Sequence, residues 1–266
     1  MYIKQRRYTD MHDLFNSCKC MEHDTENKQN QMPLIGDSAP EFTASTTNGT
    51  VNFPSDYAGR WIILFSHPAD FTPVCTTEFM AFQSMINEFH ALNTDLIGLS
   101  VGTLSGHLAW INSIRDIEYR GWNNVHITFP IIDDMNMDIA RKYGMIHPHA
   151  SDGKTVRAVF IIDPNGIIRA ILYYPLTTGR NFDEIKRLLI ALQTTDAFKV
   201  STPADWRPGD DVVAPAPLTI TEMDALINNT NKDLDVKAWF LAFKKLAADT
   251  IMAKLTQRPS IRRKKD

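Results

Sequence analysis

The chain has 266 residues, 28 basic against 31 acidic side chains, and a formal net charge of -3. That balance gives no electrostatic reason to expect nucleic acid or an anionic membrane as partner, and no apolar run reaches the roughly 20 residues of a membrane span. Three cysteines are too few for a disulfide scaffold and fit a reducing compartment; the N-terminus also lacks a signal peptide's apolar core, so a cytoplasmic protein is expected.

Residues 1–32 are rich in Asn, Gln and charge, without apolar periodicity, and are expected to form a polar N-terminal arm. Cys18, Cys20 and His23 lie within it, with His12 nearby. Three readings stay open: plain exposed thiols, resolving thiols for another oxidised cysteine, or soft ligands for zinc. A single Cys-x-Cys lacks the second spaced pair of structural zinc sites.

A main domain is expected over residues 33–197. Residues 46–53 read as two short strands around an Asn48-Gly49 turn. Trp61-Ile62-Ile63-Leu64-Phe65 reads as a buried strand. After a loop holding Pro68 and Pro73, Phe79, Phe82, Met85, Ile86, Phe89 and Leu92 recur at helical spacing. Residues 95–101 give a second apolar strand, parallel to the first because a helix intervenes. The spacing then predicts a helix over 104–117 with Leu108, Ile111 and Ile114 on its apolar face. An extended run over 125–132 and a short helix over 137–143, closed by Gly144, follow. Residues 156–162 and 167–173 flank Asp163-Pro164-Asn165-Gly166, a hairpin by pattern and turn chemistry. An amphipathic helix over 181–193 completes an α/β pattern compatible with several topologies.

Composition changes beyond residue 197. Prolines at 203, 208, 215 and 217 mark 198–218 as a linker. Thr219-Ile220-Thr221-Glu222 has a capping pattern and opens a helix. Residues 219–257 form a smaller C-terminal unit, in which Trp239, Phe240, Phe243, Leu246 and Ile251 make an apolar stripe that needs a partner. Residues 258–266 are a basic tail.

The chemistry is expected at Cys75. The helix after the strand starts only once Pro73 is passed, so Cys75 falls in its first turn. Unpaired N–H groups and the positive end of the helix dipole favour an anion there, and a free thiol, with a pKa of about 8.5, is activated in such settings. Thr72 supplies a hydroxyl three residues earlier. Buried cysteines are common as inert core residues, but such a residue does not need two prolines, a threonine and a helix start around it.

Pro68-x-x-Phe71-Thr72-x-x-Cys75 resembles the active-site signature of the peroxiredoxins, the AhpC/TSA-like thiol peroxidases. The longer His67-Pro68-Ala69-Asp70-Phe71-Thr72-Pro73-Val74-Cys75-Thr76-Thr77-Glu78 is similar to the one-cysteine and archaeal-type subfamily. The resemblance selects a thioredoxin-like α/β fold with a smaller C-terminal domain, which in such proteins embraces a dimer partner. It implies a thiol-dependent peroxidase without cofactor or metal, reducing hydrogen peroxide and organic hydroperoxides. Cys75 is then the peroxidatic nucleophile, Thr72 orients the peroxide and Pro68 shields the sulfur. Arg157 matches the family's active-site arginine, with Glu78 holding it; Arg180 matches a second arginine, and His67 lies beside the pocket. No cysteine follows Cys75, so reduction falls to an external thiol (thioredoxin-like, glutaredoxin-like or small) or to Cys18 or Cys20. A homodimer, or a ring of dimers, is the implied assembly. The alternative function is a peroxide-responsive sensor or chaperone using the same cysteine. Some members of the subfamily are also phospholipases, with a serine where this chain has Arg60 and a histidine where it has Pro54. Arginine is no nucleophile, so that activity is not expected here.

Overall fold

The computed structural model describes residues 32–151 and 153–256. The readings of Cys18, Cys20 and the basic tail lie outside the described residues.

An N-terminal hairpin joins β1 (Phe42–Thr46) to β2 (Gly49–Phe53). Thr46 pairs with Gly49, so Thr47 and Asn48 form the turn and Gly49, with φ of +108°, starts the second strand. Next come β3 (Trp61–Ser66), α1 (Pro73–Ser84), α2 (Ile86–Ala91), β4 (Thr94–Ser100) and α3 (Leu104–Ile114). Then follow β5 (Ile131–Asp133), α4 (Asp138–Lys142), β6 (Arg157–Ile162), β7 (Ile168–Tyr174) and α5 (Phe182–Phe198). The seven strands make one sheet in the order β2-β1-β5-β4-β3-β6-β7.

β3 sits inside this sheet, parallel to β4 and antiparallel to β6. It is buried at all six positions, which a run flanked on both faces requires. Its side chains alternate. Trp61, Ile63 and Phe65 join a core containing Cys75, Phe79, Phe82, Trp110, Ile185 and Leu189. Ile62 and Leu64 join the opposite core with Val51, Phe53, Tyr143 and Phe160. The same alternation along β6 sends Val159 and Ile161 to the Cys75 side, and period two assigns Arg157 to that face as well. Helices thus cover a mixed sheet with β3 among its interior strands, the expected thioredoxin-like α/β arrangement.

The C-terminal region adds β8 (Val212–Val213), α6 (Ile220–Ile227), β9 (Leu234–Ala238), β10 (Leu241–Lys244) and α7 (Ala248–Leu255). The three strands form a second sheet in the order β8-β10-β9. Thr219 caps α6 by accepting from the Glu222 N–H, while the Glu222 carboxylate reaches back to the Leu218 N–H.

Four expectations change. The inner face of α3 is His107, Trp110 and Ile114, whereas Leu108 is 45% exposed; a polar tether to His107, described below, turns the helix. Of the extended run over 125–132, only its end belongs to a strand, β5. The proline-rich stretch before residue 218 is not mere linker. Trp206 is 1% exposed within the main core, its ring N–H donates to the Asp210 carbonyl, and β8 follows. The apolar stripe after residue 235 divides between a hairpin and α7: Ile251 is buried in the main core, while Trp239 and Phe240 are exposed at the hairpin turn.

Candidate active site

β3 ends at Ser66, and the loop from His67 to Thr72 carries the chain to α1. Phe71 adopts φ of +54° and is 61% exposed. A bulky residue in the left-handed region is uncommon and costs about 1–3 kcal/mol, a strain concentrated at functional loops. Thr72 then takes the N-cap position in an extended conformation, with Pro73 at the first helical position. Pro tolerates that place because its missing N–H would have no helical partner. The first bond of the helix runs from the Thr76 N–H to the Thr72 carbonyl, 3.0 Å. Cys75 lies before that bond, and its own N–H belongs to the group that an α-helix leaves free.

The sulfur is fully buried. Arg157, at the start of β6, brings Nη1 within 3.3 Å of Cys75 Sγ and within 2.7 Å of Glu78 Oε2. Its Nε and Nη2 both donate to the Leu176 carbonyl, at 3.1 and 2.7 Å. The guanidinium is therefore fixed on three sides, which suits a planar fork and not an ammonium.

Glu78, one helical turn beyond Cys75, sits between two arginines. Arg180 donates from Nε to Oε1 at 2.9 Å, from Nη2 to Oε2 at 2.6 Å, and from its backbone N–H to Oε1 at 2.9 Å. Its Nη1 caps the carbonyls of Ser66 and Ala158, tying the ends of β3 and β6 to the loop before α5. Burial alone would push the Glu78 carboxyl up; the charge and hydrogen bonds of Arg180, with Arg157, outweigh it and hold the carboxyl below the usual range.

The hydroxyl of Thr72 donates to the Ala69 carbonyl at 2.8 Å, so its oxygen is left to accept. Pro68 is buried in the same loop. His67 is buried too: its ring lies 4.7 Å from that of Phe79 and 5.0 Å from that of Trp110. Its Nε2 is 2.9 Å from Asp70 Oδ1, and the other carboxylate oxygen is 2.7 Å from His107 Nδ1. Burial pushes His67 below the ordinary histidine value, more strongly than Asp70 pulls it up. Burial would raise Asp70, but hydrogen bonds from His107 and His67 bring it down to about 2.

The structure therefore gathers Cys75, Thr72, Pro68, Glu78, Arg157, Arg180 and His67 around one end of β3. Sequence reasoning missed Asp70 and His107. The His67-x-x-Asp70 spacing inside the signature was the available signal for the first; for a histidine in the middle of α3 there was none. Arg60 is engaged elsewhere, with Nη2 2.8 Å from Asp95 Oδ1 and Nε on the other oxygen.

Residues 35–171 match the model of the AhpC/TSA family. The chain belongs to that family. Residues 191–223 match the C-terminal domain of 1-Cys peroxiredoxin. A peroxiredoxin of Methanosarcina mazei is 56% identical, covering 80% of this chain and 98% of that protein. One of Aquifex aeolicus is 47% identical over 81% and 98%. Among solved structures, a yeast mitochondrial 1-Cys peroxiredoxin, studied for thiol resolving via glutathione/thioredoxin systems, superposes with a TM-score of 0.70 at 40% identity. It covers 81% of this chain and all of that one. A cysteine-to-serine mutant of the peroxiredoxin 6 of Arenicola marina gives 0.69 at 33% identity, over 80% and 99%. As a peroxiredoxin the chain is a thiol-dependent peroxidase with an antioxidant function. Among the described residues no helix is long and apolar enough to cross a membrane.

Proposed function

We propose that Cys75 is the peroxidatic nucleophile of this peroxidase. The observation that carries the reading is the Arg157 guanidinium 3.3 Å from the sulfur. The thiolate is the form that attacks, and a fixed guanidinium and free helix N–H groups stand where its charge would be met. The thiolate takes the near oxygen of a hydroperoxide, an S–O bond forms, the O–O bond breaks, and water or an alcohol leaves after protonation. Thr72 Oγ1, with its hydrogen already given to Ala69, accepts from the peroxide hydroxyl. The Cys75 N–H and Arg157 donate to its oxygens and to the charge developing on the leaving one. Glu78 and Arg180 hold Arg157, and Pro68 covers the sulfur.

The resulting sulfenic acid is reduced by an external thiol, of the glutathione or thioredoxin kind connected with the yeast neighbour, or by Cys18 or Cys20. The active form is a homodimer in the cytoplasm, or a ring of such dimers. Leu218, Ile220, Ile227, Trp239 and Phe240 support an assembly, because all are exposed on the C-terminal region.

One equivalent of hydrogen peroxide, a sulfenic-acid trap and peptide mapping test the assignment. A trapped adduct on Cys75 alone is expected with an external reductant. A disulfide from Cys75 to Cys18 or Cys20 would bring the arm into the cycle. An unreacted Cys75 alongside other oxidised sites would overturn the assignment.

A further inference from the structure

We propose that Asp70 and His107 are positioning residues of the peroxide reaction: bridged by the Asp70 carboxylate, they hold His67 as the neutral Nε2–H tautomer and leave its Nδ1 bare. The inference rests on the placement of the chemistry at Cys75.

An ionised carboxylate only accepts hydrogen bonds. Each oxygen of Asp70 meets a different imidazole, Oδ1 with His67 Nε2 at 2.9 Å and Oδ2 with His107 Nδ1 at 2.7 Å. Both of those nitrogens must therefore carry hydrogen. The two remaining ring nitrogens, His67 Nδ1 and His107 Nε2, are buried without a hydrogen-bond partner among the described residues. As bare lone pairs they are tolerable there; as N–H groups each would be an orphaned buried donor. The charged and titratable groups acting on His67 are Asp70 from its own loop, His107 from α3 and Arg180 from the loop before α5.

A cation is the other conceivable use of this cluster, whose ligand atoms lie within 4.8 Å of one another. It would take His67 Nε2 and His107 Nδ1 and drive their hydrogens to the outer nitrogens. Metal-bound imidazoles need an acceptor at that position, and these have none among the described residues. The geometry thus suits hydrogen bonds better than coordination.

Position links the cluster to the sulfur. Asp70 lies two residues before Thr72, and His67 packs on Phe79, one turn beyond Cys75 on α1. α3 adds a second tether: the Trp110 ring N–H donates to Thr76 Oγ1 at 3.2 Å, and Thr76 donates to the Thr72 carbonyl at 2.9 Å. Loop and first helical turn are thereby pinned to one helix from two sides. Gly102 leaves room for the His107 ring. A Cβ at Gly102 would stand 2.9 Å from His107 Cε1.

Imidazole nitrogen NMR of the reduced native protein between pH 6 and 8 tests the tautomers without a variant. His67 protonated at Nε2 and bare at Nδ1, with His107 protonated at Nδ1, is expected; the reverse tautomer or an imidazolium at His67 overturns the proposal. Asp70→Asn offers one acceptor and one donor, so one ring must reverse. Stopped-flow oxidation by hydrogen peroxide should slow about tenfold or more, with an altered pH profile; a wild-type rate and profile overturns it. His107→Asn keeps a donor where Nδ1 stood and should stay within about threefold of wild type, whereas His107→Leu should match Asp70→Asn. Equal behaviour of the two His107 variants would overturn the role whatever the fate of Asp70→Asn. Sulfenic-acid trapping at Cys75 in the unmodified chain tests the underlying assignment separately.

Discussion

Glu78 grips Arg180 with both carboxylate oxygens and, through Oε2, also holds Arg157 at 2.7 Å. One buried carboxylate therefore positions both guanidinium groups, and only one of them touches the sulfur.

That arrangement makes Glu78 a stability residue as well as a supporting one. Glu78→Gln leaves two buried arginines without their counter-charge. Breaking such a network costs about 3–5 kcal/mol. Urea unfolding should reveal a loss of that order, and a change under about 1 kcal/mol would contradict the network's weight.

Arg157→Lys tests the fork. A lysine retains charge but cannot address the sulfur, Glu78 and the Leu176 carbonyl together. Losing a preorganised donor of this kind costs about 10²–10³ in rate. Stopped-flow oxidation by hydrogen peroxide measures it, and a lysine variant with the native rate would remove Arg157 from the mechanism.

Thr72 separates by hydroxyl. Thr72→Ser keeps the acceptor and should stay near the native rate. Thr72→Val keeps the shape and loses one hydrogen bond to peroxide, about tenfold in the second-order rate constant. Comparable rates for serine and valine would argue against an acceptor at this position.

The acid limb of stability follows from two carboxyls. Asp70 and Glu78 both have folded pKa values below their unfolded ones. Their stabilising contribution is thus complete above the unfolded values, about 4. It fades as pH falls through the folded values, down to about 2 for Asp70. Melting temperatures between about pH 5 and 2 should fall steeply, and both Asp70→Asn and Glu78→Gln should flatten that slope. An unchanged slope in both would show that other groups govern acid unfolding.

Strand, proline-bounded loop and helix around Cys75 were legible because each signal is local: an unbroken apolar run, two fixed φ angles, a helical period. Arg157 was not distinguishable from other arginines by any local signal. Its role arises from the β3–β6 register, in which Phe65 faces Val159. The face of α3 was misjudged because hydrophobicity favoured Leu108, while the structure buries His107 against a carboxylate thirty-seven residues away. Short strands such as β8, held by non-local pairing with β10, leave little trace in a proline-rich segment. Trp206 joins a core drawn from residues far from it in sequence, so its burial was equally invisible.

The Arg157–Glu78–Arg180 constellation has a consequence for the oxidised protein. With a thiolate at Cys75, two guanidinium groups face one carboxylate and one sulfur anion, and the charges cancel among buried groups. Sulfenic acid is neutral. On the proposed role of Cys75, forming the sulfenic acid leaves one guanidinium of the buried constellation without a counter-charge until the sulfur is reduced again, and a buried uncompensated charge is expensive.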